Sequence, residues 1–436
     1  MHGRFRYKNK NELLGEASEL GLELPFSDDI TPLLNSAEVG GFSVPNRLVV
    51  QPMEGYDSQA DGAPSDLTER RYLRYANGGS GMIWFEAVAV SPEGRSNPAQ
   101  LWINSPNAGN FRSLNDRIKK EAGEKGIMPM LVIQLTHSGR YSKPDCHPHP
   151  LAGAPNKILD KAVPHVLTDE ELIDIQDKYV EAAKLSAEAG FDAIDIKACH
   201  GYLMIDLLAA RSRRNSIYGG ETPVSRFRFM LETFDRIKKE VPGMIITTRL
   251  NISDLYEGGF GVDSNNDTDF SEALLLVEEL NKKGISMINI SMGSPYFNPH
   301  VTRPYDTPLP GQKVPDEHPL AGVVKMINGT TQFQKRFPGI QFVGSAYSWL
   351  RQFAPNVGAA VVKNGYASFI GFGRSSFAYP SLPDDLKNEG RADPSKVCIT
   401  CSGCTRLIRN FRPGGCVIRD REIYGKELKK LIADGK

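Results

Sequence analysis

The sequence predicts an α/β fold, a closed (β/α)8 (TIM) barrel with a C-terminal cysteine-rich extension. Eight short apolar runs alternate with amphipathic helical patterns over about 340 of the 436 residues. This alternation indicates a parallel sheet with helices outside it, and eight units favour closure over an open doubly wound sheet, which is the alternative. No Gly-x-Gly-x-x-Gly motif follows the first strand, which weakens that alternative further.

Each predicted strand is a run of apolar, largely β-branched or aromatic residues. The eight strands are predicted at 47–53, 81–90, 129–135, 192–197, 244–250, 286–291, 340–345 and 367–373. The clearest helix covers 168–190, where Thr168 and Glu171 form a capping box and Gly190 ends the pattern. One face of this helix is apolar and is predicted to be buried: Leu172, Ile175, Tyr179, Ala182, Ala183 and Leu185.

Three regions follow from the pattern. Residues 1–39 are predicted to be an N-terminal extension, 40–385 the barrel, and 386–436 a cysteine-cluster segment outside the barrel. Two long connections, 136–167 and 293–320, follow the third and sixth strands. Connections of this length are usually binding loops or lids, and here they are expected at the C-terminal face, where such barrels place their active sites.

Composition excludes several classes of protein. Lys+Arg and Asp+Glu are both 52, so the net charge is zero and a general nucleic-acid binder is not expected. No run approaches 18 apolar residues, so no membrane-spanning helix is predicted. The first 20 residues lack the apolar core of a secretory signal, and a cytoplasmic location is the expectation. The 40% hydrophobic and 24% charged content is ordinary for a soluble globular chain.

Three side chains that can exchange protons follow the fourth strand. Lys197, His200 and Tyr202 lie within six residues, and a bend after the strand would bring them into one cavity. Lys197 and His200 could polarise a carbonyl oxygen or contact a cofactor, and the Tyr202 hydroxyl could supply a proton. The alternative is structural, with His200 a hydrogen-bonded buried histidine and Tyr202 an amphipathic residue at the barrel rim.

Four of the six cysteines fall in one 19-residue window: Cys398, Cys401, Cys404 and Cys416. The C-x2-C-x2-C spacing followed by a later cysteine suits a [4Fe–4S] cluster. A four-cysteine zinc site is the alternative, although zinc ribbons usually space two separate C-x2-C pairs, and reduced unligated thiols are the third possibility. Cys146 and Cys199 are not expected to be ligands.

Several segments resemble the Old Yellow Enzyme family of FMN-dependent NADH:flavin oxidoreductases. They are NRLVVQPM (46–53), IQLTHSGR (133–140), AGFDAIDIKACHGYL (189–203), YGGETPVSRFRF (218–229) and GFGR (371–374). The similar branch contains the barrel domains of 2,4-dienoyl-CoA reductase and trimethylamine dehydrogenase. It implies an FMN-binding barrel over 40–385 and a nearby cluster, although the branch places three residues, not two, between its second and third cysteines. The 218–229 segment is one residue longer than the family's and is taken as structural.

The resemblance also implies roles for individual residues. Lys197 and His200 match the pair that binds the substrate oxygen, and Tyr202 matches the proton donor. Lys197 stands where the best-known ene-reductases have His, and it is a compact point charge. The implied flavin contacts are Pro52, Met53 and Glu54 over the ring, Ala87 and Gln134 at the pyrimidine, Arg249 near N1–C2, and Gly344, Ser345, Gly373 and Arg374 at the phosphate.

The predicted function is therefore FMN-dependent reduction of an activated C=C bond, by hydride from flavin N5 and a proton from Tyr202. NAD(P)H or reduced ferredoxin is the expected electron donor. The expected partners are a small-molecule substrate and an electron-transfer protein, and oligomeric state is left open. The alternatives are an oxidative demethylase or dehydrogenase like trimethylamine dehydrogenase, and a non-catalytic flavin/Fe–S electron-transfer subunit.

Overall fold

Eight parallel strands close into a barrel in the computed structural model, which describes residues 2–435. Each strand pairs with the next in chain order, and the eighth pairs with the first. The predicted closed barrel is confirmed. The strands are β1 Leu48–Val50, β2 Met82–Ala89, β3 Met130–Thr136, β4 Ala193–Ile196, β5 Ile245–Asn251, β6 Met287–Ser291, β7 Gln341–Gly344 and β8 Phe369–Phe372.

Helices separate successive strands and form the outer layer. The α-helices are α1 Lys10–Glu19, α2 Asp66–Asn77, α3 Ala108–Gly123, α4 Asp169–Glu188, α5 Leu203–Leu208, α6 Pro223–Glu240, α7 Ser271–Lys282, α8 Pro299–Thr302, α9 Pro319–Arg336, α10 Ala354–Lys363, α11 Arg374–Ala378, α12 Leu382–Glu389, α13 Gly403–Arg409 and α14 Lys426–Ala433. Short 3-10 helices cover Thr31–Leu33, Gly139–Tyr141 and Tyr347–Phe353, and a π-helical turn covers Arg421–Gly425. No helix within residues 2–435 is long and apolar enough to cross a membrane.

Helix α4 shows how local sequence sets an element. Its capping box is present, with Thr168 as N-cap and Glu171 bonding back to the N-cap backbone. Gly190, with a φ of +81°, lies just past the helix end. The left-handed conformation is the one that glycine adopts without steric cost, so the chain turns there into β4. The six apolar positions predicted on its inner face are all buried.

The N-terminal end of the barrel is filled by apolar side chains. A hairpin of Ala37–Val39 and Phe42–Val44 precedes β1. Val39 and Val44 belong to the same buried cluster as Met82, Met130 and Val343 from the barrel strands. This end is therefore a packed core, and the opposite end, where the strands finish, is the one that can hold a site.

The N-terminal extension packs against the barrel. The rings of Phe5 and Trp349 meet edge to face, with centroids 5.4 Å apart. The Asp306 carboxylate accepts hydrogen bonds from the Phe5 backbone N–H (3.1 Å) and from the Trp349 indole (2.6 Å). Leu13 of α1 is fully buried in this cluster. Hydrophobic burial and a shared buried carboxylate thus stabilise the extension on the barrel.

The cysteine segment, predicted to be outside the barrel, packs against it. Asp420 forms ion pairs with Arg70 and Arg74 of α2. The Gly414 N–H donates to the Gly55 carbonyl (2.6 Å), which lies in the loop after β1. These contacts fold the segment back across the C-terminal end of the barrel. Helix α12 also crosses the predicted boundary at 385, and the division into three regions stays a prediction.

Candidate active site

A cavity of about 270 Å³ opens at the C-terminal end of the barrel strands. Twelve of the thirteen residues proposed for catalysis and flavin binding line it. They are Pro52, Met53, Glu54, Ala87, Gln134, Lys197, His200, Tyr202, Arg249, Ser345, Gly373 and Arg374. Gly344, the last residue of β7, does not line the cavity. It faces Tyr347 instead, and a Cβ at Gly344 would lie 2.7 Å from the Tyr347 hydroxyl.

The loop after β4 brings the proposed catalytic side chains to this cavity. His200 (φ +65°) and Gly201 (φ +73°) are both left-handed, so the chain reverses directly after the strand. The Tyr202 hydroxyl then lies 3.0 Å from Glu54 Oε1, to which it donates, and 3.2 Å from the Tyr296 hydroxyl. The predicted bend is therefore present.

Lys197 and His200 make contacts with different residues. Lys197 Nζ lies 3.7 Å from the centroid of the Tyr202 ring, in a cation–π contact. His200 Nε2 is 3.1 Å from the Ser291 hydroxyl at the end of β6. The structure thus brings Lys197 and Tyr202 into direct contact and places His200 against the end of β6, two strands away from β4 in the barrel.

Burial sets the protonation of these groups. It raises the pKa of Tyr202 well above its ordinary value, and the charge of Glu54 raises it further. Burial lowers the pKa of His200 well below its usual range, and Arg249 and Lys197 add to this. Burial also lowers the pKa of Lys197. At neutral pH Tyr202 is therefore a protonated donor and His200 a neutral imidazole.

Ala87, Gln134 and Asp195 lie side by side on β2, β3 and β4. The Asp195 carboxylate accepts hydrogen bonds from Gln134 Nε2 (2.6 Å), Trp84 Nε1 (2.8 Å) and the Arg249 N–H (2.6 Å). Burial raises the pKa of Asp195 to about 6. Asp195 thus fixes the orientation of Gln134 and the position of Arg249. Asp195 was not among the predicted site residues, although an acidic residue inside the apolar DAIDIK strand was a visible signal.

Gln51, at the end of β1, orients Arg249 from the other side. Its Oε1 accepts from Arg249 Nη1 and from Asn289 Nδ2 (2.8 Å). Its Nε2 donates to Ser345 Oγ (3.1 Å) and Asn289 Oδ1 (3.1 Å). This buried network connects β1, β5, β6 and the loop after β7 beneath the cavity.

Gly371→Ala tests this network. A methyl group at Gly371 would overlap Nε2 of Gln51, whose buried amide cannot move without losing its hydrogen bonds. We expect a loss of about 1–3 kcal/mol in the free energy of unfolding, measured by denaturant titration. We also expect weaker flavin binding, measured by flavin fluorescence. Gly15→Ala is the control, because nothing lies within 4 Å of a Cβ there in α1. Equal behaviour of the two variants would contradict the proposed role of Gln51.

Three guanidinium nitrogens around the cavity are buried without a hydrogen-bond partner among residues 2–435: Arg249 Nε, Arg303 Nη1 and Arg374 Nη1. A buried donor without a hydrogen-bond acceptor costs free energy. An anionic ligand with several acceptor atoms would supply the missing hydrogen bonds. FMN fits this requirement: Arg303 and Arg374 would hold its phosphate, and Arg249 and Gln134 would hold the pyrimidine edge. Arg303 was missed from the sequence, although it lies in the long 293–320 connection.

A second cavity, of about 20 Å³, is lined by all four clustered cysteines. The Cys398 and Cys416 sulfurs accept backbone N–H groups of Thr400 and Arg419 (both 3.4 Å). Burial raises the pKa of Cys398 to about 12, so an undisturbed thiol there is neutral. Within residues 2–435 no three His, Cys, Asp or Glu side chains are grouped closely enough to hold a metal ion. Four thiols around one cavity, two of them with N–H donors, are a donor set that suits an iron–sulfur cluster.

Other cavity residues come from loops and from the cysteine segment. Tyr141 and Tyr296 stack with ring centroids 3.9 Å apart. Lys143 lies in the 136–167 connection, and Arg409 and Phe411 belong to the cysteine segment. The two long connections were predicted to be functional, but these individual residues were not, because their shared cavity depends on how three distant segments fold together.

Known proteins are similar to this chain in both sequence and fold. Residues 32–314 match the NADH:flavin oxidoreductase / NADH oxidase family. The chain is 27% identical over 390 residues to an NADH oxidase of Thermoanaerobacter brockii, covering 87% of this chain and 54% of that protein. It is 29% identical over 271 residues to an NADPH dehydrogenase of Bacillus subtilis (strain 168), covering 60% and 73%.

The fold also matches a solved 2-naphthoyl-CoA reductase–2-naphthoyl-CoA complex, with a TM-score of 0.73, 21% identity and coverage of 92% of this chain and 58% of that one. This chain thus spans a little over half of the longer relatives. The matched residues include β1 to β6 and the loops between these strands, and they end before β7 and β8. The resemblance seen in the sequence is confirmed, and the chain belongs to the NADH:flavin oxidoreductase / NADH oxidase family.

Proposed function

We propose that this chain binds FMN, accepts electrons from NADH or NADPH, and reduces an activated C=C bond of a small molecule. The observation that carries the proposal is the shared cavity at the strand ends. It combines three partnerless buried guanidinium nitrogens with a buried, protonated Tyr202. Family membership supports the oxidoreductase class.

The barrel side of the cavity would hold the flavin. Arg303 and Arg374 would bind the phosphate, and Gln134 and Arg249 the pyrimidine edge. Arg249 is kept in place by Gln51 and Asp195, so its charge is preorganised where negative charge develops on a reduced ring. When bound, reduced FMN supplies a hydride from N5.

The β4 loop would hold the substrate. Lys197 and His200 would donate to the oxygen that activates the C=C bond, drawing electron density toward it. Tyr202 would deliver a proton to the carbon nearer that oxygen, next to the carbon that a hydride would reach. Glu54 accepts the Tyr202 hydrogen bond (3.0 Å) and so aims the hydroxyl into the cavity.

The contacts favour this reading over oxidation of a cationic amine. An amine substrate would need an aromatic face free to receive its positive charge. The face of Tyr202 already carries Lys197 (3.7 Å), and that of Tyr296 carries Arg409 (4.2 Å). The space beyond the flavin-binding residues, bounded by Tyr141 and Tyr296, also favours a catalytic role over a purely electron-carrying one.

The cysteine segment would hold a [4Fe–4S] cluster, which when bound supplies one-electron transfer. Arg374 lines both the cysteine cavity and the proposed flavin cavity. The two sites therefore share a wall, an arrangement that suits passage of electrons from an external protein donor to the flavin.

Cofactor identity tests the proposal directly. We expect the purified protein to be yellow and to release FMN, not FAD, on denaturation, and the bound flavin to bleach anaerobically with NADH or NADPH. Arg374→Met should weaken FMN binding about 10- to 100-fold, the range for loss of a charge-assisted hydrogen bond. Arg391→Met, at an exposed position, is the matched control. FAD, or no flavin from cofactor-replete cells, would overturn the proposal.

A further inference from the structure

The cavity has an excess of positive charge. Six cationic side chains line the cavity against one carboxylate, Glu54. None of the six forms an ion pair with an aspartate or glutamate anywhere in residues 2–435. The six are Lys143, Lys197, Arg249, Arg303, Arg374 and Arg409.

Four of these charges have a place in the proposed function. Arg249, Arg303 and Arg374 face the flavin and its phosphate, and Lys197 faces the reacting oxygen. Lys143 and Arg409 are left over, and they come from different parts of the chain. Lys143 lies in the connection after β3, and Arg409 ends α13 in the cysteine segment.

Lys143 and Arg409 both line the cavity, and their positive charges are close enough to interact. Burial lowers the pKa of Lys143, and the nearby positive charge of Arg409 lowers it further. Arg409 is fixed in position, since its Nη2 donates to the Pro295 carbonyl (3.0 Å) and its guanidinium lies 4.2 Å from the Tyr296 centroid. Two cations that repel each other are stabilised when an anion lies between them.

The aromatic residues beside this pair define the rest of the subsite. Tyr296 stacks on Tyr141 (3.9 Å), and its hydroxyl lies 3.2 Å from that of Tyr202. Tyr296 thus contacts both Arg409 and the proposed proton donor, so a substrate beside the edge of its ring would lie near both.

We propose that the substrate carries an anionic group, a carboxylate or a phosphate, bound between Lys143 and Arg409 while its unsaturated part lies beside Tyr296 and Tyr202. This assignment deepens the proposed function and rests on it for the identity of the reacting end. It also gives the cysteine segment a direct part in substrate recognition, through Arg409.

The test is calorimetric titration of the flavin-loaded protein with four probes: trans-cinnamate, phenyl phosphate, neutral cinnamamide and cationic cinnamylamine. We expect an anion to bind most tightly, and the stronger of the two anions identifies the group. Lys143→Gln and Arg409→Gln should each raise the Kd of that anion about 10- to 100-fold, the range for loss of a charge-assisted hydrogen bond. The Kd of cinnamamide should change less than twofold.

Lys161→Gln is the matched control. It removes a charge that also acts on Lys143 but lies outside the cavity, so anion binding should remain near that of the unchanged protein. Tightest binding of the amide or the amine, or anion binding that is indifferent to both cavity variants, would overturn the proposal. Flavin reduction by NAD(P)H without substrate is recorded separately. If NAD(P)H does not reduce the flavin, the proposed function is refuted. The effect of the Lys143 and Arg409 variants on anion binding would still show whether the anion subsite exists.

Discussion

Tyr202→Phe should slow substrate reduction by roughly 100- to 10,000-fold, the range for loss of a positioned general acid. The change removes only a hydroxyl from a buried ring, so folding and flavin binding should persist. Reduction of the flavin by its electron donor should hardly change, because no proton from Tyr202 enters that half-reaction. Stopped-flow measurement of the two half-reactions under anaerobic conditions separates these effects.

Tyr296→Phe is the matched control for this experiment. Its hydroxyl lies 3.2 Å from that of Tyr202, while Tyr202 donates to Glu54. Removing it takes away a neighbour of the proton donor but not the donor itself, so the oxidative half-reaction should slow far less. A wild-type rate for Tyr202→Phe would show that the proton comes from His200, Cys199 or solvent.

Cys401→Ser should reduce bound iron and sulfide to background. The Cys401 thiol is one of four that line the cysteine cavity, and a cubane cluster needs all four corners held. FMN should stay bound, because the strand ends with Gln134 and Arg249 are unaffected. Substrate binding should weaken as well, since Arg409 lies on the helix that follows Cys401 directly. Iron and sulfide analysis with substrate titration measures both effects.

Cys146→Ser is the control, because that thiol is exposed and lies outside the cysteine cavity. It should leave iron, sulfide and substrate binding unchanged. If the unchanged protein instead holds stoichiometric zinc and no iron, the electron-transfer role is refuted. The segment would then be a structural zinc site that stabilises the cavity wall.

The barrel could be predicted from sequence because its causes are local. Strand-length apolar runs alternating with amphipathic helices leave few compact arrangements. The Thr168–Glu171 capping box and Gly190 set the limits of α4 by contacts within a few residues. The residues at the ends of β1, β3, β4 and β5 were also identifiable, because parallel strands in a barrel deliver their carboxyl ends to one face. Twelve of thirteen proposed residues therefore meet in one cavity.

What the sequence alone determined is the barrel, the face that carries the site, and most of the strand-end residues. Only the tertiary structure showed that Asp195 and Gln51 hold Arg249 between them, because these contacts join different strands. It alone brought Arg303 and Arg409 into the cavity, since loop and tail positions depend on long-range contacts such as Asp420 with Arg70 and not on local periodicity. Local pattern specifies elements, whereas side chains from distant segments form one site only once the whole chain has packed.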